Sequence, residues 1–329
     1  MARTSAAHHA DRVLAVLQQP AEADGIAASW RRCLLQHRLD PEHPHPPTLL
    51  SNLELRYVRG HAGRLMRVAD PELDRLHGLV HGIGYSVLMT NRQGAVIARR
   101  VAERDERGCR DWRLWTGALW SEEVEGTNGV GTCLAEERPV SVHRDQHFRR
   151  RHTALTCTVT PLFDAAGRLA GALDISCFRP GPEGCILPLA MAAVQEAARR
   201  IEAAYFHDIH ARFLILALPR PQDGRTDDTS VPLLALDADR RIQGATRAAR
   251  AALRLDDAAL ERGVSITGAL DGLQAEPRTF RAAERGVISA ALAQSQGHVG
   301  QAASLLGISR ATLHRKIRAL GLQRADGFR

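Results

Sequence analysis

The sequence predicts an α+β protein in which an antiparallel sheet with helices on one face is followed by an all-α C-terminal part. Two observations support this fold class. Short runs with strand periodicity alternate with turn residues between residues 86 and 175, and a long helical pattern follows them. Residues 280–329 then show helical spacing on both sides of a glycine turn. With 329 residues, the chain is long enough for two or three domains.

Composition indicates a soluble globular protein with a polyanionic partner. Hydrophobic residues make up 44% of the chain, charged residues 25%, and the formal net charge is +7. Residues 280–329 contain eight basic and two acidic side chains, so most of the excess charge lies there. The six cysteines form no C-x-x-C pair, no export signal opens the chain, and no apolar run is long enough to span a membrane. We therefore expect a cytoplasmic protein without a membrane partner.

The first part of the chain alternates helical and strand patterns. The predicted helices are Asp11–Gln19, Ile26–Gln36 and Leu53–Gly82. The predicted strands are Ser86–Thr90, Ala95–Ala98, Val140–Val142, Thr156–Phe163 and Leu169–Ile175. Turn residues at Asn91–Gly94 and Asp164–Gly167 predict two hairpins. The segment Pro41–Pro47 is read as a solvated loop, because its histidines, His43 and His45, lack a further ligand at metal spacing.

A glycine-rich stretch, WSEEVEGTNGVGT, follows the second strand and is the first candidate site. Its glycines free the backbone around Thr127 and Asn128, either of which can cap a helix that runs to about Glu136. Such a helix start exposes N–H groups suited to a carboxylate, hydroxyl or phosphate oxygen. The alternative is a tight structural cap with two tryptophans packed over it. The candidate effector-binding residues are Trp115, Trp120, Glu125, Thr127, Asn128, Thr132 and Cys157.

Metal and catalytic sites find little support in the sequence. His143, His147, His152 and Cys157 could form a transition-metal or redox centre, but their spacing matches no standard site, and a cysteine in a predicted strand is more often a small buried hydrophobe. The acidic group Glu122, Glu123 and Glu125 is interpreted as a surface cluster rather than a pair of catalytic acids. We therefore predict no enzyme activity, no metal and no cofactor.

A long helix is predicted from Leu187 to Ile209, within a segment 187–218 that we assign to signalling and dimerisation. Its apolar positions near heptad spacing are Leu187, Met191, Val194, Ala198, Ile201 and Tyr205. This seam is either a contact between two copies of the chain or the face with which the helix covers its own sheet. A linker, Pro219–Ser230, leads to a strand, a turn, a second strand and a helix.

The C-terminal stretch VGQAASLLGISRATLHRKIRALG predicts a helix-turn-helix. A first helix runs from Gly300 to Leu306, Gly307 makes the turn, and Ser309 caps a second helix. The apolar face of the second helix points inward, and its other face is basic. A helix Arg281–Gln296 precedes the pair. The predicted DNA-binding residues are Ser309, Arg310, Thr312, His314, Arg315 and Lys316.

Two stretches resemble known families closely. LLGISRATLHRKIRALGL resembles the Fis-type module of bacterial regulators. The resemblance implies groove contacts by Ser309, Arg310, Thr312 and Arg315 and phosphate contacts by the two neighbouring basic residues. WSEEVEGTNGVGT, EERPVSVHRDQHF and LTCTVTPLFDAAGRLAGALDIS resemble the GAF sensor domain of the acetoin-catabolism regulator family, which implies that a small effector binds under a helical flap. VPLLALDADRRIQGATRAARAALRL resembles the opening of a PAS domain.

The resemblances suggest a regulator built from six segments. These are an N-terminal helical segment (1–52), a GAF-like domain (53–186), a signalling helix (187–218), a linker (219–230), a partial PAS-like segment (231–279) and a Fis-type domain (280–329). Relatives with an ATPase carry it between the sensor and the helix-turn-helix, but this sequence has no G-x-x-x-x-G-K-[ST] motif, and Lys316 is its only lysine. We expect a homodimer that binds double-stranded DNA and a small effector, with RNA polymerase as a further candidate partner. The alternatives are an architectural DNA-binding protein or a small-molecule enzyme that uses the loop Gly126–Gly131.

Overall fold

The chain folds as two units, Met1–Ser265 and Ile266–Arg329, in a computed structural model. The structure describes residues 2–18, 25–42, 48–179, 183–218, 230–269, 288, 292, 295 and 298–319. The pair His43 and His45 and most of the predicted helix 281–296 therefore lie outside the described residues.

Two helices, α1 (Ala2–Ala15) and α2 (Gly25–Leu35), open the first unit and pack against the domain that follows. They share one buried apolar cluster, made of Val13, Val16, Trp30, Cys33 and Phe148. The indole N–H of Trp30 also donates to the Gln146 carbonyl at 2.8 Å. The segment predicted as a separate N-terminal piece therefore shares a core with the domain after it.

The longest helix of the first unit, α3 (Asn52–Val80), begins with a capping box. The Ser51 hydroxyl accepts from the Glu54 N–H, and the Glu54 carboxylate accepts from the Ser51 N–H at 2.8 Å. The inward face of α3 is apolar and buried, and consists of Leu65, Ala69, Leu73, Leu76 and Val80. This spacing of three and four residues confirms the helix predicted for Leu53–Gly82.

A five-stranded antiparallel sheet forms the centre of the first unit. Its strands are β1 (Ser86–Asn91), β2 (Val96–Arg100), β3 (Val140–His143), β4 (Thr156–Phe163) and β5 (Leu169–Cys177). They lie in the order β2-β1-β5-β4-β3. Both predicted hairpins are confirmed, and their tight turns place Gly94 and Gly167 at positive φ, where glycine is favoured.

Helices cover both faces of this sheet, whereas the sequence predicted helices on one face. One face packs on α3 and on α7 (Glu183–Ile209). The other packs on α6 (Gly129–Glu136), with the short helices α4 (Glu106–Asp111) and α5 (Glu122–Glu125) nearby. The prediction was wrong because β4 and most of β5 are buried on both sides, so their side chains do not alternate between core and solvent.

Helix α7 covers its own sheet with the apolar seam predicted from the sequence. Val194, Ala198 and Ile201 are fully or almost fully buried in the cluster shared with α3 and the sheet. This position supports the second of the two interpretations of the seam, since these side chains are already covered within one chain. None of the helices in the described part of the chain, α7 included, has the length and apolarity needed to cross a bilayer.

After α7 the chain forms a small connector of three strands and two helices. Its elements are β6 (Leu214–Ala217), β7 (Leu233–Leu236), β8 (Ile242–Ala245), α8 (Arg247–Leu253) and α9 (Asp257–Glu261). The strands pair antiparallel in the order β6-β7-β8. The predicted signalling segment 187–218 is therefore a helix only to Ile209, because its last residues find strand partners in β7.

The second unit contains the predicted helix-turn-helix. Helix α10 (Val299–Leu305) and helix α11 (Arg310–Ala319) are joined by a turn in which Gly307 has φ +63°. Their shared core consists of Ile288, Ala302, Ala303 and Leu313 with Leu292, Val299, Leu306, Ile308 and Ile317 around it. Alanine side chains at the crossing let the two helices approach closely.

Candidate functional site

Helix α11 and the residue before it, Ser309, carry the predicted DNA-binding residues. The Ser309 hydroxyl accepts from the Thr312 N–H at 3.1 Å, so Ser309 caps the helix as predicted. Arg310 and Arg315 are exposed, and His314 and Lys316 are half-buried. The helix contains no acidic residue. Guanidinium groups on such a helix match phosphate oxygens and guanine edges in geometry and charge.

The glycine loop of the first unit is a tightly packed helix cap. Asn128 caps α6, accepts from the Gly131 N–H at 2.9 Å, and donates to the Trp120 carbonyl at 3.0 Å. A Cβ added to Gly129 would lie 2.5 Å from the Cβ of Cys157, and one added to Gly131 would lie 2.5 Å from the Glu122 nitrogen. Protein atoms therefore fill the space next to these two glycines.

Helix α2 covers this loop through a buried polar network. Arg32 donates from Nε and Nη2 to the two carboxylate oxygens of Glu122, each at 2.9 Å, and from Nη2 to Glu136 at 3.0 Å. These charge-assisted bonds raise the pKa of the Arg32 guanidinium. Glu122, interpreted as a surface residue from the sequence, is only 4% exposed. The surface interpretation was wrong because its cationic partner is ninety residues away in the sequence.

Two predicted effector residues belong to the same network. Ser29 of α2 donates to the Glu122 carboxylate, and its hydroxyl lies 2.7 Å from that of Thr127 and 3.1 Å from that of Thr132. The thiol of Cys33 lies 3.5 Å from the Thr127 hydroxyl, and burial raises its pKa to about 12. Sequence reasoning missed Ser29 and Arg32, although their spacing of three residues on a helix face was a usable signal.

Glu125 is buried among basic side chains. Its carboxylate forms ion pairs with Arg149, at 3.9 Å, and with Arg151, and lies 3.6 Å from Nε2 of His152. Burial keeps the pKa of His152 well below its usual range, and neighbouring cations lower it further. The His152 ring lies 4.9 Å from the ring of Trp120. Two further predicted effector residues, Glu125 and Trp120, thus lie on the same histidine and have protein side chains as their partners.

His147 and Cys157 form a neutral buried pair. Nδ1 of His147 donates to the Arg144 carbonyl at 2.9 Å, and Nε2 lies 3.5 Å from Sγ of Cys157. Burial lowers the pKa of His147 to about 4 and raises that of the Cys157 thiol. His143 points elsewhere, to the Thr156 hydroxyl at 3.0 Å. Among the residues that the structure describes, no group of three His, Cys, Asp or Glu side chains is placed to hold a metal ion.

Trp115 is the one predicted effector residue that is only half-buried, and it lies outside the glycine loop. Its ring lies between two guanidinium groups, with Arg99 at 3.4 Å and Arg110 at 3.8 Å from the ring centroid. Its ring also packs on the edge of the apolar cluster that contains Trp120. The candidate effector set therefore falls into four places: the capped loop and its network under α2, the pocket of Glu125, the His147–Cys157 pair, and this stack.

A buried carboxyl group in strand β5 was not predicted from the sequence. Asp174 of β5 is 1% exposed, and it accepts a hydrogen bond from the Ser176 hydroxyl at 2.7 Å. Within the described residues its Oδ1 has no hydrogen-bond partner. Burial raises the pKa of Asp174 to about 7. In the sequence it is a single acidic residue in an apolar strand, and only the register of β5 shows which face it occupies.

Comparison with known proteins gives two family matches. Residues 3–202 match the family described as MimR, N-terminal domain. Residues 279–320 match the family described as bacterial regulatory protein, Fis family. The fold of the first unit is similar to the crystal structure of the Escherichia coli DhaR(N)-DhaL complex, with a TM-score of 0.51, 18% identity, and coverage of 74% of this chain and 81% of that one.

Curated relatives are transcriptional regulators. The acetoin catabolism regulatory protein of Cupriavidus necator is 38% identical over 68% of this chain and 34% of its own length. The propane 2-monooxygenase operon transcriptional activator MimR of Mycolicibacterium smegmatis is 31% identical over 56% of this chain and 31% of its own length. The chain thus spans about a third of the length of the curated relatives it matches. From these matches and the fold, the chain belongs to the family of bacterial regulators with a MimR N-terminal domain and a Fis-type helix-turn-helix.

Proposed function

We propose that this protein is a cytoplasmic transcriptional regulator that binds operator DNA as a homodimer and responds to a small-molecule effector. The observation that carries the proposal is the capped basic helix α11 on an apolar helix-turn-helix core. The relatives that this chain resembles are named as regulators of operons or pathways, which supports the same role here. The names of these relatives refer to acetoin and propane, and we propose an effector of comparable size.

The homodimer is proposed because a single helix-turn-helix reads too few base pairs for an operator. Two copies about one helical turn apart read a palindromic site. Since α7 uses its apolar seam within the chain, the proposed contact between copies lies on another surface. Regulation is proposed to proceed without ATP hydrolysis by this chain, which lacks a P-loop motif. The same proposal includes RNA polymerase as a candidate partner.

The effector is proposed to act by releasing α2. Thr127, Thr132 and their neighbours lie beneath this helix, and its network holds them through Ser29 and Arg32. An effector that reached these side chains would have to separate α2 from α5 and α6. Such a ligand favours the state with α2 displaced by its differential affinity for the two states.

The test is retention of random genomic fragments on the purified protein at near-physiological salt, followed by sequencing. Enrichment of a few palindromic sites is expected, with loss of enrichment in an Arg315→Ala variant. Uniform retention of all fragments would instead support an architectural DNA-binding protein. No retention at all would overturn the DNA-binding assignment. Light scattering of the same sample gives the mass in solution, and a monomer with or without DNA would contradict the homodimer.

A further inference from the structure

A cleft of about 270 Å³ lies between the sheet domain and the connector. One wall is the turn between β4 and β5 together with the end of α7, and the other is formed by β8, α8 and α9. An apolar cavity of about 150 Å³ holds one benzene molecule. The cleft is therefore large enough for a ring that carries one or two polar substituents.

Two guanidinium groups line the cleft, and each has one carboxylate partner. Arg168 lies on the sheet-domain side, and Arg250 lies on the connector side. Asp164 is the acidic residue among the lining groups, and its Oδ1 already accepts from the N–H groups of Ala166 and Arg168 at 2.8 and 2.9 Å. Its Oδ2 lies 3.2 Å from Nε of Arg168. Because this carboxylate is committed to its own turn, it does not neutralise Arg250, whose carboxylate partner is Asp257.

Arg250 retains hydrogen-bonding capacity in this position. Its Nη1 donates to Asp257 at 2.6 Å, and its Nε is buried without a hydrogen-bond partner in the part of the chain that the structure describes. The side chain is 20% exposed, so its charge is only partly hydrated. A guanidinium held by one carboxylate can still offer two parallel N–H groups to a second one.

Apart from Gln243, the side chains that line the rest of the cleft are aromatic or aliphatic. Tyr205, Ile209 and His210 line it from α7 and the turn after it, and Leu260 lines it from α9. The His210 ring packs closely against Gly244, where an added Cβ would come within 2.4 Å of the ring. Burial lowers the pKa of His210, which favours the neutral imidazole. Such a surface suits the apolar body of a ligand.

The two walls already bind each other at their edges. The Arg247 guanidinium lies 4.1 Å from the Phe163 ring centroid and 2.8 Å from the Glu137 carboxylate. Phe206 of α7 shares a buried cluster with Leu233 of β7. A ligand between Arg168 and Arg250 would add a further bridge across the same junction.

We propose that this cleft is a second ligand site that binds a small aromatic carboxylate between Arg168 and Arg250. The proposal goes beyond the regulator function and is independent of DNA binding. It assigns the ligand a place at the junction through which the sheet domain connects to the residues that follow. A bound anion would stabilise the docked connector by its affinity for that arrangement alone.

The test is titration calorimetry of the full chain with benzoate and with benzamide, its neutral analogue. Benzoate is expected to bind saturably at millimolar concentration, and benzamide about tenfold more weakly or not at all. Arg250→Gln is expected to weaken benzoate binding about tenfold, while Arg250→Lys retains part of it. Arg262→Gln, at an exposed arginine just after α9, is the matched control and should bind like the unaltered protein.

A second variant tests the shape of the site. Ala166→Trp places a large side chain at the rim of the cleft without changing its charge, and should abolish benzoate binding. Circular dichroism and thermal melting establish that each variant is folded. Equal benzoate binding by the unaltered protein and Arg250→Gln would overturn the proposal, and so would the absence of saturable binding up to about 10 mM. Neither result depends on whether the protein retains DNA, so the two proposals fail separately.

Discussion

Arg32 donates hydrogen bonds to both carboxylate oxygens of Glu122 at 2.9 Å, and this ion pair joins α2 to the start of the glycine loop. The same guanidinium reaches Glu136 at the other end of α6. An N-terminal helix is thereby tied to both ends of the element that the sequence marked as the effector site. In the proposed mechanism, an effector therefore reaches that site only when α2 separates from α5 and α6.

Glu122→Gln is expected to lower the free energy of unfolding by about 2 to 4 kcal/mol, because it leaves the guanidinium of Arg32 without its main counter-charge. Urea denaturation followed by tryptophan fluorescence measures the loss. Glu123→Gln is the matched control, since Glu123 is exposed, and it should change stability by less than about 0.5 kcal/mol. Equal effects of the two substitutions would contradict the buried network.

Asp174→Asn should change how stability depends on pH. The pKa of Asp174 is raised to about 7, so between about pH 4 and pH 7 the folded state holds a proton that the unfolded state releases. The unaltered protein should therefore lose up to about 4 kcal/mol of stability from this group as pH rises through that window. The variant should not show this loss.

The measurement for Asp174 is the difference in unfolding free energy between the two proteins at a series of pH values. His147 acts in the opposite direction, because its pKa is lowered to about 4. Its contribution to the free energy of unfolding is lost as pH falls from about 6.5 to 4. Taking the difference cancels this histidine, which both proteins contain. A difference that stays constant from pH 4 to pH 8 would show that Asp174 has an ordinary pKa.

Gly129→Ala should destabilise the protein by about 1 to 3 kcal/mol, because the new methyl group would overlap the side chains of Cys157 and Val159. Gly63→Ala is the opposite case on the exposed side of α3, where an added Cβ meets nothing within 4 Å. That substitution should stabilise by about 0.5 to 1 kcal/mol through helix propensity. Thermal melting of both variants separates the two signs, and a neutral Gly129→Ala would mean that the loop contains unfilled space.

Arg315→Ala and Lys316→Ala should affect DNA binding differently. Arg315 is a predicted base contact, so its removal should weaken binding to specific DNA by about 1 to 3 kcal/mol and relax the sequence preference. As a predicted phosphate contact, Lys316 should weaken all sequences alike and reduce the salt dependence. Fluorescence anisotropy on specific and random duplexes at several salt concentrations measures both. Identical behaviour of the variants would contradict the assigned contacts.

Local signals in the sequence predicted most of the elements. The turn at Asn91–Gly94 and the glycine at position 307 each carry their own conformational requirement, so hairpin and helix-turn-helix were both predictable. Asn128, one of two predicted caps, is the residue that caps α6. Side-chain periodicity likewise placed the inward face of α7.

Long-range partners were not predictable in the same way. The role of Glu122 depends on its ion pair with Arg32. Strand β6 likewise depends on pairing with β7, which is separated from it in the sequence by residues 218–232. No local pattern specifies such partners, because burial and strand pairing are decided by the completed fold. The cleft between Arg168 and Arg250 was missed for the same reason.

The pairing of β6 with β7 also determines what a cut in the chain would do. Residues 214–217 lie before the linker and residues 233–236 lie after it, yet they share one sheet, and Phe206 packs on Leu233 across the same divide. Hydrolysis of a peptide bond between residues 218 and 230 would therefore leave both products attached. We therefore expect the polypeptides 1–218 and 230–329, produced separately, to associate through this shared sheet when they are mixed.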